Sequence, residues 1–419
     1  PPVSTLPEAF VPAPAWVIPF VAILLAIALL PVAAPHSWES NRNKLALSAL
    51  LGLPVLGLYL AHRPEALVHV AEDYVSFIVL LGSLFVISGG VMLEGDLEAR
   101  PAVNTAFLAV GSLLASFIGT TGASMLLIRP LLQTNRERKH VRHTVVFFIF
   151  LVSNIGGCLT PLGDPPLFLG YLQGVPFTWT LRLAPAWLAT TLLLLAVYFL
   201  WERRAYATEA KADRNRDRME VRPLRLAGKD NLVLLGGIVA ATAFLGAPWR
   251  EGTMVGLAAL SLARAQPELR RANQFSFSPI LEVAALFAGI FLTMLPALDL
   301  LRARGAALGV REPWQFFWAA GGLSSFLDNA PTYLTFLALA QGLGLDPEVA
   351  GVSHRVLEAI SLGAVFMGAN TYIGNGPNFM VRAIAEARGV SMPSFGGYMI
   401  YSLLVLIPTF VLVTLVFFR

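Results

Sequence analysis

The sequence predicts an all-α polytopic membrane protein that consists of two inverted repeats. Of its 419 residues, 56% are hydrophobic and only 13% are charged, about half the charged fraction of ordinary soluble domains. The charges are clustered and leave long apolar runs between them. A soluble protein of this size could not cover such an apolar core with so few polar residues. Two similar polar segments, 159–168 and 370–379, interrupt such runs about 210 positions apart. Each half is predicted to cross the bilayer five times, and this odd number requires the second half to be inverted relative to the first.

The predicted crossings are apolar runs long enough for helices of roughly 20 residues. They lie near 14–34, 44–62, 74–95, 180–201, 231–247, 278–300 and 396–418, with a shorter run over about 251–265. With the two interrupted runs described below, we predict about 10 transmembrane helices. The first run lacks a basic n-region and an A-x-A cleavage site, so we interpret it as a retained span. The single cysteine, Cys158, excludes an intrachain disulfide.

Two further segments, 103–133 and 313–343, are predicted to be re-entrant hairpins. Each contains two apolar arms of about 12–15 residues, too short to span a bilayer. Polar tips join the arms, at Gly119–Ser124 in the first hairpin and at Ser324–Thr332 in the second. We expect both tips to reach the middle of the membrane.

The runs 143–173 and 354–386 are predicted to be broken helices. Their polar segments read LTPLGDPPLF and NTYIGNGPNF, so that Thr160 aligns with Thr371 and Asp164 with Asn375. Gly and Pro leave backbone polar groups unpaired, and lipid cannot satisfy them. A matched pair of broken helices in two halves of a chain is typical of the central site of a transporter.

Basic residues predict the orientation of the chain. The loops 134–143 and 264–271 and the linker 202–230, which holds nine Lys and Arg, fall on one side. The positive-inside rule makes this side cytoplasmic and places both termini outside. Arg302, Arg304 and Arg311 fall outside in this scheme and oppose it. The repeats are thus 1–201 and 231–419, and we expect the linker to be a solvated loop or a short surface helix.

Four carboxylates lie in or near apolar segments, where ionisable groups are functional candidates. Asp164, in the first break, and Asp328, at the second tip, are the strongest, although either side chain could also cap a helix. Glu282 starts an apolar run and is a possible site residue, while Asp299 ends that run and is expected to be solvated. Arg129 is expected to reach the cytoplasmic interface with its long side chain.

Neutral oxygen donors surround these carboxylates at the four predicted interruptions. The candidates are Thr120, Thr121, Ser124, Ser153, Asn154, Thr160, Ser324, Ser325, Asn329, Thr332, Asn370, Thr371, Asn375 and Asn378. Singly, such residues more often pair with backbone or pack helices. Together with Asp164 and Asp328 they predict a site for a hard cation such as sodium. No His pair has metal-ligand spacing, so a transition-metal site is not expected.

Two motifs carry a resemblance to known families. Residues 153–166 resemble the N-x-G-G-x-x-T-P-x-G-D signature of NhaD-type sodium/proton antiporters, and also the related "putative citrate transport" branch of the ion-transporter superfamily. Asp328-Asn329-Ala330-Pro331-Thr332 resembles the D-N-x-P-T hairpin motif of the same antiporters. The resemblance implies a scaffold that holds a moving domain of hairpins and broken helices, and homodimers formed through the scaffold. The tips depart from the S-N-T motifs of sodium-coupled dicarboxylate carriers. Asp164 also replaces the neutral residue that usually precedes Pro-Pro in those carriers. The pair Pro165-Pro166 itself, however, resembles the dicarboxylate carriers more than the antiporters.

These observations lead to one principal hypothesis and its rivals. The principal one is a sodium (or lithium)/proton antiporter of a prokaryotic inner membrane, with Asp164 and Asp328 binding either a proton or the cation. Beyond the transported ions, the lipid bilayer and a second copy of the chain, we expect no cofactor and no nucleic-acid partner. The alternatives are a sodium-coupled carrier of citrate or dicarboxylates and, third, an arsenite exporter. An intramembrane enzyme is disfavoured, because the sequence shows no catalytic dyad or paired-Asp motif.

Overall fold

A computed structural model of the chain describes residues 10–264, 267–344 and 346–419. Its first half contains α1 (Ile18–Ala33), α2 (Pro35–Trp38), α3 (Asn41–His62), α4 (Pro64–Ser88), β1 (Met92–Asp96), α5 (Pro101–Ile118), α6 (Thr120–Thr134), α7 (Arg142–Leu151), α8 (Pro165–Leu172), α9 (Ala184–Thr208), α10 (Lys211–Met219) and β2 (Arg222–Ala227). The second half contains α11 (Asp230–Phe244), α12 (Trp249–Ala263), α13 (Pro267–Ala272), α14 (Ser278–Arg304), α15 (Pro313–Ser324), α16 (Asn329–Leu343), α17 (His354–Met367), α18 (Gly376–Ala387), α19 (Phe395–Tyr401) and α20 (Ile407–Phe417).

The fold is that of an all-α polytopic membrane protein. Among the described residues, seven helical segments are long and apolar enough to cross a membrane: Pro14–Pro31, Asn41–His62, Pro64–Ser88, Pro101–Ile118, Phe177–Thr208, Ser278–Leu308 and Phe395–Phe417. Arg142–Cys158 and Asp230–Phe244 are shorter apolar helices. The first nine residues, and positions 265 and 266 of the basic loop predicted at 264–271, lie outside the described residues.

Three predicted boundaries differ from the structure. The run 74–95 is a helix that starts earlier, at Pro64, and stops at Ser88, because two glycines follow and the chain then enters β1. The run 231–247 forms a helix of only 15 residues, Asp230–Phe244. The first arm of the hairpin at 103–133 was predicted to be too short to span, but α5 has 18 residues and meets the length and composition expected of a span.

The two tips turn in different ways. Gly119 joins α5 to α6 with φ +80°, a backbone conformation that favours glycine. Asp328 starts α16 with an ordinary extended backbone, and its side chain accepts a hydrogen bond from the Ala330 N–H at 3.0 Å. Both segments are therefore helix–turn–helix hairpins, while their re-entry into a bilayer stays a prediction.

Long helices of the two halves pack together around α14. α14 packs against α3, α4 and α16, and Phe77 of α4 stacks on Phe287 of α14 with ring centroids 4.8 Å apart. Stacked aromatic pairs of this kind add roughly 0.5–1.5 kcal/mol beyond the area they bury. α4 also packs against α6 and α8, so this contact supports one helix of each hairpin and the first broken helix.

The linker 202–230 is more structured than a solvated loop. α9 continues through its first residues to Thr208, α10 follows, and β2 pairs with β1 in an antiparallel ladder that matches Met92 with Ala227. Glu202 and Glu209 are buried. Burial opposes ionisation of Glu209, but the backbone N–H groups of His140 and Lys139 outweigh it and hold the pKa of Glu209 below its usual value. The linker thus contains a short helix, as one of the two predicted alternatives had it, but long-range partners anchor it to the rest of the chain.

Two predicted surface charges are also paired. Asp299 was expected to be solvated, but it accepts a hydrogen bond from Tyr59 at 2.8 Å and pairs with Arg63 at 3.0 Å. His143, the last residue of the basic loop predicted at 134–143, is buried and contacts Glu202 at 2.6 Å. Partners far away in the sequence cause both differences.

Candidate functional site

The two helix breaks are built by the same backbone contacts. Thr160 donates its hydroxyl to the carbonyl of Ser116, and Thr371 donates its hydroxyl to the carbonyl of Ser325 at 2.5 Å. Each threonine also accepts the N–H of the residue two positions on, at 3.2 Å in both halves. Thr160 and Thr371 thus connect each break to the hairpin of its own half by a hydrogen bond, which indicates a structural role.

A second matched contact is the close approach of two glycines in each break. A Cβ on Gly163 would lie 2.2 Å from the carbonyl oxygen of Gly157, and a Cβ on Gly374 would lie 2.5 Å from that of Gly368. No side chain fits at these distances. The aligned glycines therefore allow each unwound segment to fold back on itself.

Asp164 is the centre of a hydrogen-bonded cluster. Its carboxylate is 1% exposed. Thr120 donates to Oδ1 at 2.8 Å and Asn375 donates to the same oxygen at 3.2 Å. Asn329 donates to Oδ2 at 2.5 Å. One donor comes from each tip and one from the opposite break, so this single carboxylate joins four elements of both halves.

In the described part of the chain, no Lys, Arg or His lies within ion-pairing distance of Asp164. A buried carboxylate normally requires a compensating charge or a full set of hydrogen bonds. Here neutral hydroxyl and amide groups supply the hydrogen bonds.

Other predicted residues form the surroundings of this cluster. Asn154 donates to the side-chain oxygen of Asn378 at 2.7 Å and thereby connects the two breaks. Asn378 donates to the carbonyls of Gly368 and Thr371, both at 2.9 Å. Asn375 also donates to the Ser153 carbonyl at 3.1 Å.

The remaining hydroxyl and amide candidates hydrogen-bond within their own half of the chain. Ser124 and Ser153 share a hydrogen bond of 2.8 Å. Asn370 donates to the Ser325 hydroxyl at 2.9 Å. Ser324 donates to the Ala364 carbonyl at 2.6 Å, which fixes the second tip to α17.

Two buried amide oxygens have no hydrogen-bond partner among the described residues, Asn154 Oδ1 and Asn370 Oδ1. Asn154 Oδ1 faces Gly368, where a Cβ would lie 3.1 Å from it and 3.3 Å from the Gly374 carbonyl. Unpaired oxygens are suitable ligands for a hard cation.

Three predicted residues lie apart from the Asp164 cluster. Glu282 pairs with the buried Lys44 of α3 at 2.7 Å, which is a helix-to-helix contact. Thr121 is exposed, whereas Thr120 beside it is buried. Thr332 is buried and donates its hydroxyl to the backbone carbonyl of Asp328 at 2.9 Å.

Asp328 differs from Asp164 in both burial and bonding. It is partly exposed, and its Oδ1 caps α16 by accepting the Ala330 N–H. Its neighbour Asn329 is the residue that reaches Asp164. The sequence placed both carboxylates near the centre but could not show that Asp164 accepts hydrogen bonds from both halves, whereas Asp328 caps its own helix.

Sequence reasoning missed a second buried polar network. Glu202 of α9 accepts hydrogen bonds from Asn104 at 2.9 Å and from Arg138, and it contacts His143. These residues lie far apart in the sequence and form no local motif. The high charge of 202–230 was the one available signal, and it favoured solvation instead.

This arrangement of broken helices around a buried polar centre defines a polytopic membrane transporter. Residues 11–418 match the family model described as "putative citrate transport". The chain belongs to this family.

Curated relatives are consistent with transport. The chain is 25% identical over 382 residues to an uncharacterized transporter of Mycobacterium tuberculosis, covering 83% of this chain and 87% of the relative. It is 27% identical over 301 residues to the 46 kDa membrane protein of Mycobacterium leprae, covering 67% and 68% of the two chains. A 72-residue stretch is 33% identical to the P protein of Sus scrofa, covering 17% of this chain and 8% of the relative.

Proposed function

We propose that the protein is a sodium (or lithium)/proton antiporter that works by alternating access, with Asp164 as the exchanging carboxylate. The observation that carries the proposal is the burial of Asp164 among three neutral donors, with no basic partner among the described residues. Burial disfavours a lone charge and a bound cation restores it. The carboxyl group therefore holds either a proton or the cation, and this competition couples the two fluxes.

The surrounding groups are able to serve both states. Asn329 and Asn375 donate their amide N–H groups to the carboxylate, and rotation of either amide by half a turn presents an oxygen instead. Thr120 changes from donor to ligand by rotating its hydroxyl. In this proposal the cation binds to Asp164, these oxygens and the unpaired oxygen of Asn154. Asp328 supplies negative charge nearby and caps α16.

Reconstituted protein tests the proposal directly. Proteoliposomes that enclose a pH-sensitive dye receive sodium, lithium, potassium, citrate and succinate in turn. We expect proton movement on sodium or lithium alone. Absence of any cation-driven proton movement, with the protein inserted and folded, would overturn the proposal.

A second candidate is a sodium-coupled carrier of citrate or dicarboxylates. It is supported by the family description and by the N-termini of α8 and α18, which start at Pro165 and Gly376 beside the cluster. Helix N-termini favour anions. Sodium-dependent uptake of labelled citrate, without sodium-driven proton movement, would favour this candidate over exchange.

A further inference from the structure

A wide cavity lies away from the Asp164 cluster, between the loop before α7, the last turns of α9 and the residues that follow α18. Its volume is about 1240 Å³. Arg142 holds two of its walls together by donating to the Ser391 carbonyl at 2.6 Å and to the Ser391 hydroxyl at 3.3 Å. The walls therefore come from both halves of the chain.

The rim of this cavity is strongly basic. Its exposed cations are Arg136, Lys139, Arg142, Arg204 and Arg388, and none of the described Asp or Glu residues contributes to the lining. Arg136 pairs with Glu137 and Glu220. In the described ranges, Arg142, Arg204 and Arg388 have no carboxylate within ion-pairing distance. Three positive charges at the rim are thus available to an anion.

The positive charges deeper in the cavity are already compensated. Arg138 forms ion pairs with the buried Glu202 and Glu209, and His143 contacts Glu202. The unmatched charge is therefore confined to the rim, where a ligand can reach it from outside.

One wall is aromatic and aliphatic. Trp201 stacks on Tyr401 with ring centroids 5.6 Å apart and on His143 at 5.9 Å. Leu200 is 60% exposed and Trp201 is 38% exposed. Trp and Tyr prefer the interface between membrane and water. The basic loop 134–143 and the linker are predicted to be cytoplasmic, so this wall faces the boundary of the cytoplasmic leaflet.

We infer that this cavity binds an anionic phospholipid of the cytoplasmic leaflet, with the headgroup phosphate at Arg142, Arg204 and Arg388 and the acyl chains along Leu200 and Trp201. Basic pockets between membrane helices recognise anionic headgroups, and the planar guanidinium pairs with two phosphate oxygens at once. A soluble anion would use the basic rim but would have no contact with the apolar wall. The combination of both surfaces selects a lipid. This inference does not depend on which ion the Asp164 cluster transports.

The test measures lipid adducts on the full chain by native mass spectrometry in a neutral detergent. The added lipids are phosphatidylglycerol and phosphatidylcholine with identical acyl chains. The variant is Arg204→Gln/Arg388→Gln. The matched control is Arg216→Gln/Arg222→Gln, which removes two exposed arginines of α10 and β2 outside the cavity. A third arm adds inorganic phosphate as a competitor.

We expect phosphatidylglycerol to bind in preference to phosphatidylcholine on the wild type and on the control. Each basic side chain near an anionic headgroup contributes roughly fivefold in affinity, so the cavity variant should bind phosphatidylglycerol on the order of 20-fold more weakly. Equal adducts on the cavity variant and the control would overturn the inference, as would equal binding of the two lipids. Displacement by millimolar phosphate would assign the cavity to a soluble anion instead.

Discussion

The two helix breaks share their backbone construction and differ in their charge. Thr160 and Thr371 donate equivalent hydrogen bonds to the hairpins of their own halves. The close glycine contacts at Gly163 and Gly374 likewise occur in both breaks. At the aligned position, however, the first break carries Asp164 and the second carries Asn375, whose amide donates to that carboxylate. The repeated architecture therefore supplies two equivalent unwound segments, and one side chain makes them chemically different. In the proposed function, the repeat determines where the polar cluster forms, and the difference between Asp164 and Asn375 determines what the cluster binds.

Removing the charge of Asp164 should have the largest effect on exchange. Asp164→Asn leaves two similar amides in the aligned positions and removes the only group of the cluster that binds a proton. In the proposed mechanism Asp164 and the bound cation form a buried charge pair. Removing one member of such a pair costs about 3–5 kcal/mol, so exchange should fall by two or three orders of magnitude. Sodium-driven proton movement in proteoliposomes measures the loss.

Asp328→Asn is the matched control for this change. Asn is as good an N-cap as Asp, so α16 should keep its start. We expect this variant to retain a substantial part of the exchange. If Asp328→Asn abolished exchange and Asp164→Asn did not, the assignment of roles to the two carboxylates would be reversed.

The shared backbone can be tested by filling the glycine contacts. Gly163→Ala should destabilise the protein by more than the roughly 1–3 kcal/mol typical of overpacking, because the obstacle is a backbone carbonyl. Gly374→Ala should do the same to a smaller extent, since its clash is milder. Thermal unfolding in detergent measures both variants. Gly376→Ala, which has open space around it, should unfold like the wild type, and a large loss there would contradict the packing argument.

Exchanging the two side chains sharpens the comparison further. Asp164→Asn/Asn375→Asp moves the carboxylate to the other break while keeping one charge in the cluster. We expect measurable exchange, roughly tenfold below the wild type, because the mirrored carboxylate loses about one well-placed hydrogen bond. The single variant Asn375→Asp places two carboxylates together and should be less active than the double variant. Equal inactivity of the double variant and Asp164→Asn would mean that the two breaks are not interchangeable.

The smallest predicted effect concerns the stability of the linker between the halves, which we expect to lie outside the membrane. Burial, with help from Glu137, Glu98 and Asp96, raises the pKa of Asp217 to about 6, although the Ala99 N–H at 3.0 Å opposes this shift. A carboxyl whose pKa is raised on folding stabilises the fold at low pH and loses that stabilisation as pH rises through 6. Asp217→Asn avoids this loss and keeps an acceptor for Ala99.

Asp217→Asn should therefore stabilise the protein at pH 8 by on the order of 1 kcal/mol and leave it unchanged near pH 4. Proteolysis of the linker at the two pH values provides the measurement. Asp213→Asn, on the same helix, is the control. Faster cleavage of Asp217→Asn at pH 8 would mean that the charged form of Asp217 holds α10 in place.

The two helix breaks could be predicted from local sequence, because Gly, Pro and polar residues persist inside apolar runs only where protein groups satisfy the freed backbone. The predicted tips and the second break contain Thr120, Asn329 and Asn375, and all three contact Asp164 in the structure. Local sequence could not rank Asp164 above Asp328, since burial depends on which element covers each residue.

Pairings across long stretches of chain were not predictable. The ion pairs of Glu282 with Lys44 and of Asp299 with Arg63 join residues more than 200 positions apart. The strand Met92–Asp96 shows no alternation of apolar and polar residues, and it forms because β2 lies beside it. Long-range partners of this kind leave no periodic pattern in the sequence. Side chains expected to be solvated, such as Asp299, therefore form ion pairs in the structure.

The ladder between β1 and β2 has a practical consequence for dissecting the molecule. If the chain were divided after Ala210, β1 would belong to one polypeptide and β2 to the other, while Glu209 would stay with its partners Lys139 and His140. Each fragment would then carry one strand of the β1–β2 ladder, through which the two fragments can pair. Co-expressed fragments should reassemble through it, and each half could be labelled or altered without touching its counterpart.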